Sequence, residues 1–269
     1  MSAIESKTTP IVMILFLLFA VTGCAQATLE KTNDELIAYA TRNGGEWVPQ
    51  IKHLQGKDAS IIDRKKLSKL SAEALKLITG ISVAYAAMET VPDLHYLPSL
   101  KWLQLSHDKL RNISALSGLI ITYLDLENNI ITDISAIAGL PLIGLDLGNN
   151  PLSKIGAINS CRQLESISLV GTRIEQLENL SALINLKDLW LNSTPLKSLS
   201  GIERIPSDFN LNIMGCTELT NIDALLSARV NTLFIDQETY DRFRQWFDDN
   251  LPKLKMKRPA FNIRLTMTE

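Results

Sequence analysis

Aromatic side chains are scarce in this chain of 269 residues, and charge of neither sign is in large excess. Phe, Trp and Tyr make up 6% of the sequence, whereas hydrophobic residues of all kinds make up 46%. A core with so few rings has to be built from aliphatic side chains. The formal net charge of -2 leaves no basic surface of the kind that nucleic-acid binding requires, so DNA and RNA are excluded as partners.

Motifs of catalysis are absent as well. The sequence contains no HExxH, no GxSxG and no glycine-rich phosphate loop, and its three cysteines never have the CxxC spacing of a metal or redox site. Ser106, His107 and Asp108 are consecutive, but neighbouring residues of a strand point to opposite sides, so they cannot form a triad. We therefore predict a protein without enzymatic activity, cofactor or metal.

No hydrophobic run is long enough to cross a membrane. The longest one, from Ile11 to Val21, has 11 residues, whereas a spanning helix needs about 20. A run of this length near the N-terminus is typical of the apolar part of a secretion signal. The sequence therefore predicts a signal peptide over residues 1–23.

The predicted signal ends in Val21-Thr22-Gly23-Cys24, which resembles the lipobox of bacterial lipoproteins. The resemblance implies that Cys24 is lipid-modified and begins the mature chain, with a short tether over residues 24–28. Ala25, rather than Asp, after the cysteine implies sorting to the outer membrane of the cell envelope. An anchor of more than one acyl chain holds a protein stably on a membrane. An ordinary signal peptide that contains a cysteine is the alternative.

The middle of the chain repeats the motif LxxLxLxxN at intervals of 21 or 22 residues. The second leucine position of the motif is filled in turn by Leu103, Leu124, Leu145, Ile167, Leu189, Leu211 and Leu233. A degenerate first copy contains Ile81 and Val83. One copy is too small to bury its own apolar side chains, so the copies have to stack into one continuous core.

This pattern is identified as a leucine-rich repeat, and the tail N-x-I-x-D-I-x-x-L that begins at Asn129 resembles the internalin type of bacterial surface proteins. The resemblance covers residues 78–236. It implies an α/β solenoid, a leucine-rich repeat horseshoe with a parallel β-sheet on the concave side. The alternation L-x-L itself predicts a short strand, and the brief return leg predicts 3₁₀ turns or irregular coil on the convex side.

Residues 29–77 and 237–269 lack the repeat, and we expect each segment to form a helical cap over one open end of the solenoid. Thr32 to Glu35 fits a capping box at the start of a first helix, and Gly80 fits the end of a second. Apolar side chains at near-helical spacing predict a C-terminal cap helix: Tyr240, Phe243, Trp246, Phe247 and Leu251. A partner-binding helix is the alternative there.

The asparagine position of the motif has a predicted structural role, because a side chain at the turn can bond the backbone of adjacent coils. Its occupants are Asp108, Asn129, Asn150, Thr172, Thr194 and Cys216. The same register places Cys161 three coils before Cys216. Three strand spacings amount to about 14 Å, whereas bridged Cα atoms lie within about 7 Å, so we predict no disulfide between them.

The side chains that flank and separate the strand leucines point away from the core. Eight of them are aromatic or acidic, although the repeat motif does not require such residues at these positions: Trp102, Tyr123, Asp125, Glu127, Asp146, Asp188, Trp190 and Phe234. Exposed aromatic residues are typical interface anchors, and like charges on neighbouring strands cost stability. We predict that these eight residues form a partner-binding surface. The alternative is a solvated acidic face with incidental aromatics.

Together these patterns predict a monomeric, membrane-anchored, extracytoplasmic protein that binds another protein through its concave face. By the internalin resemblance, that partner is a host surface protein or, alternatively, a component of the bacterial envelope. The alternative function is a structural protein of the envelope that binds carbohydrate or peptidoglycan through the outward aromatics.

Overall fold

The computed structural model describes residues 23–266, which form one sheet of eleven strands in chain order. The strands are β1 Gly45–Val48, β2 His53–Gly56, β3 Gly80–Val83, β4 Trp102–Gln104, β5 Tyr123–Asp125, β6 Gly144–Asp146, β7 Ser166–Ser168, β8 Asp188–Trp190, β9 Phe209–Asn212, β10 Val230–Asp236 and β11 Asn262–Thr266. Among the described strands only β1 pairs antiparallel, and β2 to β11 pair in parallel. The predicted leucine-rich-repeat solenoid is therefore confirmed.

The strand leucines point into the core, as predicted. Leu103, Leu124 and Leu145 pair with one another across β4, β5 and β6, and each is at most 4% exposed. The remaining positions of this column are also buried: Ile81, Ile167, Leu189, Leu211 and Leu233. Burying such a side chain is worth about 1.5–3 kcal/mol, so each coil is held mainly by the coils on either side of it.

Five return legs of the repeat contain a 3₁₀ turn, which confirms the predicted form of these connections. The turns are Ser114–Leu116, Ser135–Ile137, Gly156–Ser160, Ile202–Arg204 and Asp223–Leu226. Oδ1 of Asp133 accepts the backbone N–H of Ser135 at 2.8 Å, and Asn112 accepts that of Ser114 at 2.9 Å. The Asp or Asn at this position of the repeat tail therefore starts a turn, because its side-chain oxygen accepts an N–H that the turn leaves unpaired.

The asparagine position joins consecutive coils. Nδ2 of Asn150 donates to the carbonyl oxygen of Leu126 in the preceding coil (2.9 Å) and to that of Leu147 in its own coil (3.0 Å). Oδ1 of Asn150 accepts the N–H of Ile131 at 2.9 Å, and Asn129 repeats this arrangement one coil earlier. All the predicted occupants of this ladder are buried, which confirms its structural role: Asp108, Asn129, Asn150, Thr172, Thr194 and Cys216.

One residue before the ladder, the backbone of each coil is left-handed. Seven residues with φ between 54° and 71° form this left-handed column: Tyr85, His107, Asn128, Asn149, Gly171, Ser193 and Gly215. Glycine and asparagine adopt this conformation most easily. Backbone geometry therefore accounts for the first asparagine of each NN pair, and the ladder accounts for the second.

Helices and a hairpin precede the repeats. The helices are α1 Gly23–Arg42, α2 Arg64–Leu67 and α3 Ala72–Leu77. The predicted capping box at Thr32 is wrong, because α1 begins at Gly23 and already includes the tether residues 24–28. Glu35 instead accepts the N–H and the hydroxyl of Ser71, both at 2.9 Å, and so ties α1 to α3. Residues 1–22 of the predicted signal peptide and the side chain of Cys24 lie outside the described part of the chain.

The segment 29–77 is not wholly helical, since it also contains β1 and β2. The prediction that Gly80 ends a helix is wrong, because α3 ends at Leu77 and Gly80 is the first residue of β3. A Cβ atom at Gly80 would lie 2.0 Å from the ring of His53, so this glycine makes room for a ring. The division of the chain into caps and repeats stays a prediction.

Two helices and an additional strand follow the repeats. The predicted C-terminal helix is broken at Phe243, which separates α4 Gln237–Arg242 from α5 Arg244–Lys257. Asp236 accepts the N–H of Thr239 at 2.7 Å and that of Gly215 at 2.6 Å. One coil earlier, the N–H of Ser193 in the left-handed column donates to the backbone carbonyl of Met214 in the following coil. At Gly215 the carboxylate of Asp236 takes the place of that carbonyl. Strand β11, which the sequence pattern did not predict, extends the sheet beside β10.

Cys161 and Cys216 are buried free thiols. Sγ of Cys161 donates to the carbonyl oxygen of Ile137 (3.1 Å), and Sγ of Cys216 donates to that of Leu191 (3.2 Å). Each thiol thus bonds a carbonyl of the preceding coil, and burial raises the pKa of both.

Replacing the ladder residue Asn150 by alanine should lower the free energy of unfolding by about 2–4 kcal/mol, because it leaves the buried N–H of Ile131 and the buried carbonyl of Leu147 unpaired. Denaturant titration followed by circular dichroism measures the change. The matched control is Asn149→Gly at the neighbouring exposed position, where φ is 54°. Glycine adopts that conformation without strain, so the control should change stability by less than about 1 kcal/mol. Equal losses in both variants would contradict the ladder role.

Candidate functional site

The face of the sheet opposite the leucines, called the open face from here on, carries two straight rows of side chains. Across β4 to β9 the first row is Trp102, Tyr123, Gly144, Ser166, Asp188 and Asn210. The second row is Gln104, Asp125, Asp146, Ser168, Trp190 and Asn212. The rows are straight because paired strands place equivalent residues side by side.

The structure brings the predicted partner-binding residues onto this face in three groups. Trp102 is paired with Tyr123, and Asp125 is paired with Asp146 beside Glu127. Asp188 and Trp190 lie together on β8. Phe234 is more distant, since Asn212 of β9 separates it from Trp190. The binding role of all eight residues stays a prediction.

The two aromatic residues at the start of the rows differ in exposure. The half-buried ring of Trp102 lies against His53, with ring centroids 4.3 Å apart and planes tilted by 44°. Burial lowers the pKa of His53 to about 4, so this ring is neutral at pH 7 and packs as an apolar surface. Tyr123 is 40% exposed and covers Gly144, where a Cβ atom would lie 2.8 Å from Cδ1 of the tyrosine. Tyr123 therefore offers more accessible ring surface than Trp102.

Hydrogen bonds orient the second row. The hydroxyl of Ser82 donates to Oε1 of Gln104 at 2.6 Å, and Nε2 of Gln104 donates to Oδ2 of Asp125 at 2.9 Å. Oδ1 of Asp125 accepts the N–H of Glu127 at 2.9 Å, and Oδ1 of Asp146 accepts that of Gly148 at 2.8 Å. The expectation that the repeat does not need these acidic residues is thus wrong for Asp125 and Asp146, because each satisfies the backbone where its strand ends.

Asp146 carries the electrostatic cost of this arrangement. Burial raises the pKa of its carboxyl group to about 6, and the nearby charges of Asp125 and Glu127 add to the increase. Hydrogen bonds from Gly148 and Ser168 oppose the increase without cancelling it. Burial and like charge both disfavour the ionised form. Ionisation of Asp146, in the middle of the open face, therefore lowers the stability of the folded protein.

Two features, one near each end of the sheet, escaped the sequence patterns. Tyr85 of the left-handed column is 63% exposed and stacks on His107, with centroids 4.7 Å apart and planes 16° from parallel. The signal available in the sequence was the interval of 22 residues between these two rings. Arg264 of β11 lies beside Phe234, and no repeat signal marked it, because β11 lies outside the repeat.

Within residues 23–266, no group of His, Cys, Asp or Glu side chains is arranged to hold a metal ion. No helix in the same range has the length and apolar character needed to cross a bilayer.

Comparison with solved structures finds the same fold in bacterial leucine-rich-repeat proteins. The functional domain of InlJ from Listeria monocytogenes aligns at 16% identity and a TM-score of 0.51, over 74% of this chain and 42% of its own. An internalin, inlF, from the same organism aligns at 23% identity and a TM-score of 0.45, over 57% of this chain and 50% of its own. A leucine-rich-repeat protein of Leptospira interrogans aligns at 16% identity and a TM-score of 0.49, over 82% of this chain and 63% of its own.

The chain thus spans half or less of the two Listeria proteins, and likeness at these identities shows the fold alone. No protein-family model matches the sequence, and no curated protein does either.

Asp146→Asn should stabilise the protein at pH 7.5 by about 1–3 kcal/mol. The folded chain holds this carboxyl proton with a pKa of about 6, above the value near 3.9 of an unfolded chain. Folding is therefore favoured as pH falls from about 6 to about 4, and this contribution is lost as pH rises through 6. Asparagine removes the titration while its oxygen still accepts the N–H of Gly148.

Thermal unfolding between pH 4 and pH 8 tests this prediction, and the variant should show a flatter profile than the parent protein. Asp188→Asn is the matched control, because the register partners of Asp188 are Ser166 and Asn210 rather than acidic residues. If Asp146→Asn had the same pH profile of thermal unfolding as the parent protein, ionisation of Asp146 would not be what destabilises the fold.

Proposed function

We propose that this protein is a non-enzymatic binding module that captures a protein partner on its open face. The observation that supports the proposal is the content of the two rows. They carry aromatic side chains beside acidic ones, and neither the rings nor the negative charge is needed for the leucines beneath them to pack. Large rings with polar edges are the residues that most often dominate protein interfaces. Short strands at regular spacing also hold such side chains in fixed positions, which lowers the entropy lost on binding.

The charge of the open face selects a basic partner. Across β4 to β10 neither row contains Lys or Arg, whereas Asp125, Asp146 and Asp188 lie within the rows and Glu127 beside them. A cationic side chain placed against Asp125 and Asp146 would offset the repulsion that the pair carries. Complementary charge speeds association and discriminates between partners, and this effect weakens with salt.

We further propose that the protein acts outside the cytoplasm and is anchored by lipid at Cys24, in the outer membrane of a bacterial envelope. The support is the sequence Val21-Thr22-Gly23-Cys24, followed by Ala25. Because α1 begins at Gly23, the anchor would lie in the first turn of a helix, without a flexible tether. The repeats would then be held near the membrane, which favours a partner in the envelope over a distant receptor on a host cell.

A photo-crosslinking amino acid at position 190 should form an adduct with a polypeptide in cells, whereas the same group at Ser200 should not. Position 190 is on the open face, and Ser200 is exposed on a return leg. Mass spectrometry of the adduct identifies the partner. A glycan adduct would instead support the alternative of an envelope protein that binds carbohydrate through Trp102, Tyr123, Trp190 and Phe234. Adducts of equal yield from both positions would contradict binding on the open face.

With the captured partner in hand, Glu127→Lys tests the charge argument. Binding of the partner should weaken as salt is raised from 50 to 500 mM, and the variant should lose both affinity and salt dependence. Glu218→Lys, at an exposed position on a return leg, makes the same change of charge and should bind like the parent protein.

Cys24→Ser should abolish metabolic labelling with an alkyne fatty acid and release the protein from the membrane fraction. The physical reason is that acyl chains supply the membrane affinity, at about 0.8 kcal/mol for each buried CH₂ group. Ala25→Asp is the matched variant, which should keep the label but move it from the outer to the inner membrane. Labelling that persists in Cys24→Ser would show that Cys24 is not the anchor.

A further inference from the structure

A cleft of about 380 Å³ opens at the N-terminal end of the open face, between the β1–β2 hairpin and the coil of β3. Its lining includes Glu46, Gln55, Lys57, Ser82 and Tyr85. This cleft is separate from the acidic middle of the face, which lies on β5 and β6. Its lining combines one aromatic ring with several polar side chains.

Tyr85 presents one free ring face to the cleft. Its other face stacks on His107, which belongs to the next coil, so the uncovered face points towards the hairpin that precedes β3. The ring of His107 is itself flanked by Asn128, with Nε2 and Nδ2 3.4 Å apart. Tyr85 is therefore held flat by a ring behind it, although 63% of its surface is exposed.

The fold does not require an aromatic residue at this position. Tyr85 has a φ of 60° in the left-handed column, where the next coil places His107 and the later coils place asparagine, glycine or serine. A bulky side chain is disfavoured in this conformation, and strained residues of this kind concentrate at functional sites. Tyr85 is thus kept at a cost to the backbone, whereas asparagine would satisfy the same geometry.

Three polar side chains around the ring have unused hydrogen-bonding capacity. The side chains of Glu46, Gln55 and Lys57 form no hydrogen bond or ion pair with any residue in the described range. Glu46 and Gln55 are paired across the hairpin, so they project to the same side of the sheet. Together they supply carboxylate acceptors, an amide that both donates and accepts, and an ammonium donor.

From this geometry we infer that the cleft is a saccharide-binding site. The apolar C–H face of a sugar ring would lie on the free face of Tyr85, while its hydroxyl groups bond to Glu46, Gln55 and Lys57. Sugar hydroxyls both donate and accept hydrogen bonds, and the rim offers matching groups: a carboxylate that accepts, an ammonium that donates and an amide that does both. A strongly charged ligand fits less well, because Glu46 and Lys57 oppose one another. This inference does not depend on the proposed protein partner, which uses a different part of the face.

Saturation-transfer difference NMR with the purified protein tests this site, using cellotetraose, chitotetraose and maltotetraose as separate probes. At least one probe should show transfer to its ring C–H protons, and Tyr85→Asn should reduce the affinity for that probe by about tenfold or more. Asparagine is the residue that the same column carries at positions 128 and 149, so the variant should fold and unfold at a temperature no lower than the parent protein.

Two further variants separate the cleft from the rest of the face. Gln55→Ala should weaken binding of the same probe, whereas Trp190→Ala, which removes an aromatic ring outside the cleft, should leave it unchanged. Failure of all three probes to bind, or equal loss from Tyr85→Asn and Trp190→Ala, would overturn the inference. So would crosslinking of a polypeptide, and no glycan, from a photoreactive group at position 85. None of these results bears on the capture of a protein partner at position 190.

Discussion

Pairing of buried backbone groups between consecutive coils is the constraint on which the rest of this molecule depends. An unpaired amide or carbonyl inside the solenoid costs about as much as the burial of a leucine side chain contributes. The amide of Asn150 bonds a carbonyl of its own coil, a carbonyl of the coil before and an N–H on the return leg. A slip of register would break all these bonds together. The coils therefore stack at one fixed offset, and side chains on the open face form straight rows.

Some residues of the open face also stabilise the fold, so core and candidate site are not made of separate sets of residues. Asp125 and Asp146 each satisfy a backbone N–H where their strand ends, yet asparagine would do so without charge, as Asn212 does for Met214. The ionised carboxylates are therefore additional to the structural need. Carboxyl groups with strongly shifted pKa values are common at functional sites, and the raised pKa of Asp146 supports the proposal that this face binds a partner.

The two ends of the sheet are completed by different means, and this difference gives the molecule two kinds of surface. At the C-terminal end the carboxylate of Asp236 substitutes for a missing coil, and β11 then extends the sheet. At the N-terminal end a short antiparallel hairpin replaces a full coil, which leaves open space beside Tyr85. The middle of the face is acidic and suits a charged macromolecule, whereas the N-terminal cleft is aromatic with a mixed polar rim.

The sequence by itself determined the repeat, because leucines at a fixed period form a local pattern. Stacking of the coils in one register is the arrangement that buries all of these leucines. The sequence therefore predicted the strands, the 3₁₀ turns, the ladder and the side of the sheet on which the candidate binding residues lie. It did not predict the true start of α1, the hairpin, the break at Phe243 or β11, because these elements form where the period stops and long-range contacts decide. Only the tertiary structure brought Tyr85 onto His107 and placed the hairpin residues around it. The hairpin brings residues 46 and 57 together, and the pairing of β2 with β3 makes them neighbours of Tyr85.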